Sequence, residues 1–233
     1  MSEHTIAIDT KAGERVRQGL PAGPEELAIL PLRETVLFPQ AVLPLAVARR
    51  SSVRLVDEAV LGTRLIGVVT QRDGSQEAPA AQEIHAFGTV AVIHKMLKHA
   101  DGTIRLVIQG IERFRILEFT QETPYFKARV ERLADVMPAA DDLEAQALSR
   151  QALTLFQRIV ELSPMLGDEL LALVAGADDA GRMADLMAVT LPSLTTERKE
   201  TLLETRDVKA RLDRKSTRLN SSHIQKSRMP SSA

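Results

Sequence analysis

The strongest constraint on the fold is a change in hydrophobic period near residue 140. Before that point, short apolar segments run continuously or alternate with polar residues, and turn-forming residues separate them. From Asp141 onward, apolar residues recur at intervals of three and four. The first pattern is typical of β-strands and the second of amphipathic helices. The sequence therefore predicts an α+β protein in which a β region precedes a helical region.

A hairpin is the clearest local signal of the β region. Its predicted arms, Thr89–Ile93 and Ile104–Ile108, flank Asp101-Gly102. Asp-Gly favours a type I′ turn, in which both central residues need positive φ. Gly110 predicts a β-bulge before the chain continues as a strand over Ile111–Phe119.

Other apolar segments complete the β region. Pro44 lies inside the second of them and predicts an edge strand, because proline donates no hydrogen bond to a neighbour. A helix is predicted to begin at Ser51 or Ser52 and to end at Gly62. About seven short strands with closely spaced turns favour a small barrel or sandwich. The remaining predicted strands are Leu27–Leu32, Val42–Ala48, Leu65–Thr70 and Phe126–Leu133.

The helical region is predicted to be a compact bundle of short helices. Asp141 and Glu144 have the spacing of a capping box, with Asp141 as the N-cap. The apolar face that follows ends at Ser163-Pro164, and a further helix is predicted to start at Asp207. The other predicted helices are Asp168–Ala175, Arg182–Leu191 and Thr196–Glu204.

These patterns predict four segments: a disordered leader over 1–26, a β domain over 27–136, a helical subdomain over 137–214 and a disordered tail over 215–233. The tail contains four Lys or Arg and no acid. The whole chain has 30 Lys+Arg against 31 Asp+Glu, so the remainder has 26 against 31 and is acidic. There is no secretory signal pattern and no apolar run of membrane-spanning length, which favours a soluble, cytoplasmic protein.

Several kinds of chemistry are excluded or disfavoured. The chain has no cysteine, which excludes disulfides, zinc ribbons and thiol catalysis. The phosphate-binding pattern G-x-x-x-x-G-K-[ST], the nucleophile pattern G-x-S-x-G and the zinc pattern H-E-x-x-H are absent. His85, His94 and His99 are interpreted as surface polar residues rather than a metal site. We therefore expect this chain to have no metal, no cofactor and no catalytic activity of its own.

The segment Leu30–Leu45, LPLRETVLFPQAVLPL, leaves two interpretations open. Val36, Leu37 and Phe38 are apolar but belong to no predicted strand. They either plug one end of the barrel or form an exposed apolar surface that binds unfolded polypeptide, since exposed apolar patches commonly mark interaction sites.

Nucleic-acid binding is the weaker alternative. A basic strip is predicted along the hairpin, but Asp101, Glu112 and Glu118 interrupt it. Only 3% of residues are aromatic, too few for a base-stacking surface. The strip consists of Lys95, Lys98, Arg105, Arg113 and Arg115.

Three blocks in order resemble the N-terminal domain of the Lon family of ATP-dependent proteases: LPLRETVLFPQAVLPL, FGTVAVIHKMLKHADGTIRLVIQGIERFRI and LLETRDVKARLDR. The resemblance implies a PUA-like β pseudo-barrel with one helix, followed by a small helical bundle. It also implies recruitment of unfolded or misfolded proteins and a share in hexamer assembly. In the family, a long helix then leads to an ATPase module, which uses ATP and Mg, and to a protease module with a Ser-Lys dyad. No position of this chain matches the ATPase or protease motifs, and the change at Lys215 suggests truncation before those modules.

Five residues are predicted to contact substrate: Val36, Phe38, Val42, Met96 and Leu97. The resemblance does not assign them. A standalone protein-binding member of the same family is the alternative within the family, and a PUA-like RNA-binding module is the weaker alternative outside it.

Overall fold

The computed structural model describes residues 25–163 and 166–214. The predicted leader up to residue 24, the helix stop at Pro164 and the tail over 215–233 lie outside the described residues. Glu25 and Glu26 belong to the first strand, so the β region begins earlier than predicted. The chain divides into two compact units, with the boundary between Leu133 and Ala134.

In its described residues, 25–133, the first unit is a six-stranded mixed sheet with one α-helix. The strands follow the order β2-β5-β4-β3-β1-β6, and β5 also pairs with β6. This last pairing closes the sheet on itself, which agrees with the predicted pseudo-barrel. Its elements are β1 (Glu25–Leu32), β2 (Val42–Val47), α1 (Arg50–Leu61), β3 (Leu65–Gln71), a 3-10 turn (Ala81–Glu83), β4 (Ile84–Lys98), β5 (Ile104–Gln121) and β6 (Phe126–Leu133).

Closure depends on the length of β5 and on a bulge near its middle. The first part of β5 pairs with β2 and β4, and its second part pairs with β4 and β6. Ala91 lies opposite Gly110 while Val90 lies opposite Glu112, so one extra residue stands on β5 at this point. A bulge bends its strand and increases the local twist. The bulge predicted at Gly110 is confirmed, and the two strands predicted on either side of it are one bent strand.

Apolar side chains fill the first unit in two clusters. In one cluster, Leu55 and Val56 of α1 pack with Ile66, Leu106 and other strand residues. The other cluster is centred on Phe114, which is fully buried. The continuous apolar run in β3 is accounted for because residues 66–71 are all buried.

The turn of the β4–β5 hairpin differs from the predicted type I′ turn. The backbone N–H of Gly102 donates to the carbonyl of His99 at 3.0 Å, and that of His99 donates to the carbonyl of Thr103 at 2.8 Å. Gly102 has φ of 84°, whereas Asp101 is not among the described residues with positive φ. The loop is therefore longer, with one left-handed residue at Gly102. Asp101 instead accepts hydrogen bonds from the Thr103 N–H and hydroxyl.

The start of α1 also differs from the expectation. Its N-cap is Arg49, which makes no side-chain capping bond, and Ser52 is buried inside the helix. The apolar face of the helix, including Val56, packs on the sheet and holds α1 in place without a side-chain cap.

The second unit is helical. Its core is formed by Ala152, Phe156 and Val160 of α2 together with residues of the later helices. Among the described residues, no helix has the length and hydrophobicity needed to cross a membrane. Within the part of this unit that the structure describes, the helices are α2 (Leu143–Leu162), α3 (Asp168–Ala175), α4 (Ala180–Thr190), α5 (Thr196–Glu204) and α6 (208–214).

The N-cap of α2 is Asp142, one residue after the predicted cap. The Asp142 carboxylate accepts the N–H of Ala145 at 2.9 Å. This is the hydrogen bond by which an N-cap side chain satisfies a free amide in the first turn. Asp141 is exposed, and Asp142 is the residue at which the chain enters the helix.

Candidate functional site

An exposed apolar surface lies at the outer end of the β4–β5 hairpin. Met96 and Leu97 have 38% and 61% of their surface accessible, although both belong to a strand. Val107 faces Lys95, and Arg105 faces Leu97, in the antiparallel register. The hairpin therefore places large apolar side chains next to cationic ones.

These residues line an open groove of about 740 Å³. Three adjacent strands, β2, β5 and β4, form most of it. Val60 near the end of α1 and Arg64 in the turn between α1 and β3 complete it. Its size is within the range of known ligand sites. The lining residues are Pro44, Leu45, Ala46, Val60, Arg64, Ile93, His94, Lys95, Met96, Leu97, Arg105, Leu106 and Val107.

The hairpin end is held to the rest of the unit by polar contacts. The Lys98 ammonium lies 2.7 Å from the Asp57 carboxylate of α1. The ring Nε2 of His94 lies 2.8 Å from the side-chain oxygen of Gln109 on β5. These contacts help fix the position of the groove wall.

Two of the five predicted contact residues are buried, which corrects the interpretation of Leu30–Leu45 as an exposed surface. Val36 is 8% exposed, and Phe38 is fully buried. The hydroxyl of Thr89 donates to the Leu37 carbonyl at 2.6 Å, which holds the segment against the barrel. Side chains in this position plug the barrel and have no surface to offer a substrate.

The chain after Phe38 returns to the sheet at the β5 bulge. The Gln40 N–H donates to the Gly110 carbonyl, and the Gly110 N–H donates to the Ala41 carbonyl, both at 2.9 Å. A Cβ atom at Gly110 would lie 2.3 Å from the Phe38 carbonyl oxygen. Glycine at 110 therefore allows this close approach of the two backbones.

Val42 is neither buried, as Val36 and Phe38 are, nor part of the groove wall. It is half-buried at the start of β2, opposite Gln109, and does not line the groove. Of the predicted set, the structure places only Met96 and Leu97 together in the groove.

Most residues of the groove wall were not predicted from the sequence. In β5, the alternation of Arg105 and Val107 with buried neighbours was a usable signal, because it assigns both to the outer face. Pro44 and Arg64 carry no such signal, since strand pairing and the turn between α1 and β3 bring them to the groove.

The basic strip predicted along the hairpin does not form a continuous surface. Arg113 is buried at 3% exposure. Arg115 lies 2.8 Å from the Glu131 carboxylate, and Lys98 is paired with Asp57. Of the strip, only Lys95 and Arg105 remain in the groove.

A second, smaller cavity of about 340 Å³ lies between the end of β1 and the end of β2. Leu30 and Leu32 lie on its β1 side, and Leu45 and Val47 on its β2 side. Beyond Ile29, β1 pairs with β3 only, and β2 pairs with β5 only. The cavity therefore lies beside strand segments that each have one paired neighbour among the described residues.

Two other groups in the first unit have shifted pKa values with structural causes. Burial, together with a hydrogen bond to Glu58, raises the pKa of the Tyr125 hydroxyl to about 12. Burial, together with the nearby Arg72, lowers the pKa of His85. Neither residue lines the groove.

Residues 26–221 match the family model of the ATP-dependent protease La (LON) substrate-binding domain. The chain belongs to this family. A Lon protease of Koribacter versatilis is 43% identical over 189 residues, which cover 81% of this chain and 23% of that protein. A Lon protease of Syntrophus aciditrophicus is 40% identical over 216 residues, covering 91% of this chain and 26% of that protein. The chain thus spans about a quarter of the length of these curated relatives.

Solved Lon N-terminal domains have the same fold. The N-terminal domain of a Mycobacterium avium complex Lon protease aligns with a TM-score of 0.69 at 21% identity. It covers 85% of this chain and all of that structure. A Lon N-terminal domain protein from Xanthomonas campestris aligns with a TM-score of 0.54 at 22% identity. The alignment covers 82% of this chain and 96% of that structure. The α+β architecture predicted from the sequence is confirmed.

Proposed function

We propose that this Lon substrate-binding domain recognises exposed apolar segments of unfolded or misfolded proteins, and that the 740 Å³ groove at the β4–β5 hairpin receives them. The observation that carries the proposal is the exposure of Leu97, at 61%, beside Met96 in the wall of that groove. Large apolar side chains that line a concave surface gain free energy when a partner covers them.

An extended peptide fits the shape of this surface. Three neighbouring strands line the groove, and a strand presents its side chains alternately to its two sides. Edge-strand pairing adds main-chain hydrogen bonds in many peptide complexes. Among the described strands, β2 pairs with β5 alone. It also contains Pro44, which has no N–H to donate, so we expect side-chain contacts to contribute more here.

In the proposed function, this domain works as part of a longer protein. The relatives are Lon proteases, and this chain aligns with about a quarter of each. In the proposed arrangement, ATP-dependent unfolding and proteolysis belong to modules outside this chain, which use ATP and Mg in the family. Self-association through those modules and a cytoplasmic location are part of the same proposal.

The decisive experiment replaces Leu97 with aspartate. Binding of a permanently unfolded, reduced and carboxymethylated protein is measured by fluorescence anisotropy for wild type and L97D. We expect at least about tenfold weaker binding, because a carboxylate replaces an exposed apolar side chain of the groove wall.

Leu117→Asp is the matched control. Leu117 is also an exposed leucine, at 45%, on a strand of the same unit, but it does not line the groove. Circular dichroism verifies that both variants are folded. Equal affinity of L97D and wild type would contradict the assignment of the groove.

A further inference from the structure

The charges that line the groove all have the same sign. Arg64, Lys95 and Arg105 line it, and no Asp or Glu of the described residues does. The chain as a whole has one more acidic than basic residue, so this local excess of positive charge does not follow from composition.

Strand register arranges the cationic and apolar side chains as a checkerboard. Lys95 and Leu97 are two residues apart on β4, and Arg105 and Val107 are two residues apart on β5. Lys95 faces Val107, and Leu97 faces Arg105. Because residues two apart on a strand point to the same side, each strand presents one cation and one apolar group outward.

A peptide with the complementary spacing has an apolar residue and a carboxylate two positions apart. In an extended peptide these side chains lie on one side, about 6.7 Å from each other along the chain. That is the spacing between Lys95 and Leu97 and between Arg105 and Val107. The apolar side chain then covers Leu97 or Val107 while the carboxylate meets the adjacent cation.

From this arrangement we infer a substrate class: the groove prefers extended segments in which large apolar and acidic residues alternate at two-residue spacing. The inference rests on the proposed function, since it concerns which segments the same groove selects. Carboxylate pairing with exposed cations adds a modest gain to the apolar contact, and it weakens as salt screens the charges.

The test uses the full 233-residue chain and three dye-labelled synthetic peptides of equal length. Their sequences alternate leucine with glutamate, glutamine or lysine at two-residue spacing, with serine between. We expect the glutamate peptide to bind about three- to tenfold more tightly than the glutamine peptide, and the lysine peptide to bind most weakly. The advantage of glutamate should shrink between about 0.15 M and about 1 M salt.

Two double variants test whether Lys95 and Arg105 cause the preference for the glutamate peptide. Lys95→Gln with Arg105→Gln should reduce the glutamate advantage to less than about twofold, measured as the ratio of the affinities of the glutamate and glutamine peptides for the same variant. Arg150→Gln with Arg158→Gln is the matched control, because both arginines are exposed on α2 and lie outside the groove. The control should leave the preference unchanged.

The outcomes separate this inference from the proposed function. If the three peptides bind with equal affinity and L97D abolishes all three, the charge preference is overturned and the groove remains the binding site. If no peptide binds wild type, both fail. If a single-stranded RNA of matched charge displaces the glutamate peptide at equal concentration, the groove is a general anion surface and the inference is overturned.

Discussion

At the scale of single residues, Arg211 of the helical unit is a buried charged side chain that needs several hydrogen-bond partners. It is fully buried, and its guanidinium donates to Asp135 at 2.8 and 3.1 Å, to Asp185 at 3.1 Å and to the Thr205 carbonyl at 2.8 and 3.0 Å. Burial acts to lower the pKa of Arg211, but Asp185 and Asp135 outweigh it and raise the pKa above its ordinary value. The arginine thus remains charged and satisfies two acidic groups at once.

Arg211→Met should strongly destabilise the helical unit. Removing one side of a buried ionic network leaves the other uncompensated, at a cost of about 3–5 kcal/mol. The free energy of unfolding, measured with urea, tests this. Arg198→Met is the control, since Arg198 is exposed on α5 and should change stability by less than about 0.5 kcal/mol. Similar losses for both variants would contradict the network's importance.

At the scale of elements, the ends of helices distinguish neighbouring residues that look equivalent in the sequence. Asp141 and Asp142 both precede α2, but only Asp142 accepts the Ala145 N–H, and it also lies 3.1 Å from the Lys209 ammonium. The hydrogen bond from Ala145, with help from Lys209, lowers the pKa of the Asp142 carboxyl.

Asp142→Ala should lower the thermal midpoint of the helical unit by a few degrees, because it removes the cap of the longest helix. Asp141→Ala should leave the midpoint unchanged. Differential scanning calorimetry of the two variants measures the difference. A larger loss for Asp141→Ala would place the helix start at the residue that the sequence pattern predicted.

The contact between α1 and the β5–β6 turn gives the protein a measurable alkaline titration. The Tyr125 hydroxyl donates a hydrogen bond to the Glu58 carboxylate. The folded-state pKa, about 12, lies above the ordinary tyrosine value of 10.0, so folding favours the protonated phenol. This contribution to stability is fully present below pH 10.0 and is lost as the pH rises toward 12.

Tyr125 is the single tyrosine of a chain without tryptophan, so phenolate absorbance reports it alone. We expect a midpoint near 12 in wild type and a lower one in Glu58→Gln, which keeps the burial but removes the carboxylate. Circular dichroism at each pH identifies the range in which the protein is folded. An unchanged midpoint in Glu58→Gln would assign the shift to burial alone.

At the scale of the whole molecule, the family and the span of the match define what the isolated chain should do. The chain aligns with about a quarter of its Lon protease relatives and includes the substrate-binding domain. We expect the purified chain to show no ATP hydrolysis and no peptide cleavage above background. Phosphate-release and fluorogenic-peptide assays measure both activities. Turnover that co-purifies with the chain would contradict the proposal that ATP hydrolysis and proteolysis belong to modules outside it.

The sequence alone determined the order and type of the main elements. Period and turn residues identified β6 and two of the short helices at their observed bounds, and Gly110 marked the bulge. These are local properties, because the alternation of side chains and the backbone freedom of glycine depend on nearby residues.

Only the tertiary structure decided which apolar residues are buried and which form a surface. Phe38 and Leu97 are both large apolar residues that the sequence predicts to contact substrate. Phe38 is fully buried, whereas Leu97 is 61% exposed. The difference arises because the chain before β2 folds back over the β5 bulge, while β4 continues beyond Val92, its last residue paired with β3, to Leu97. The groove, too, depends on β2 and α1 meeting the hairpin. Contacts between residues distant in sequence are set by strand pairing and packing, and no local period encodes them.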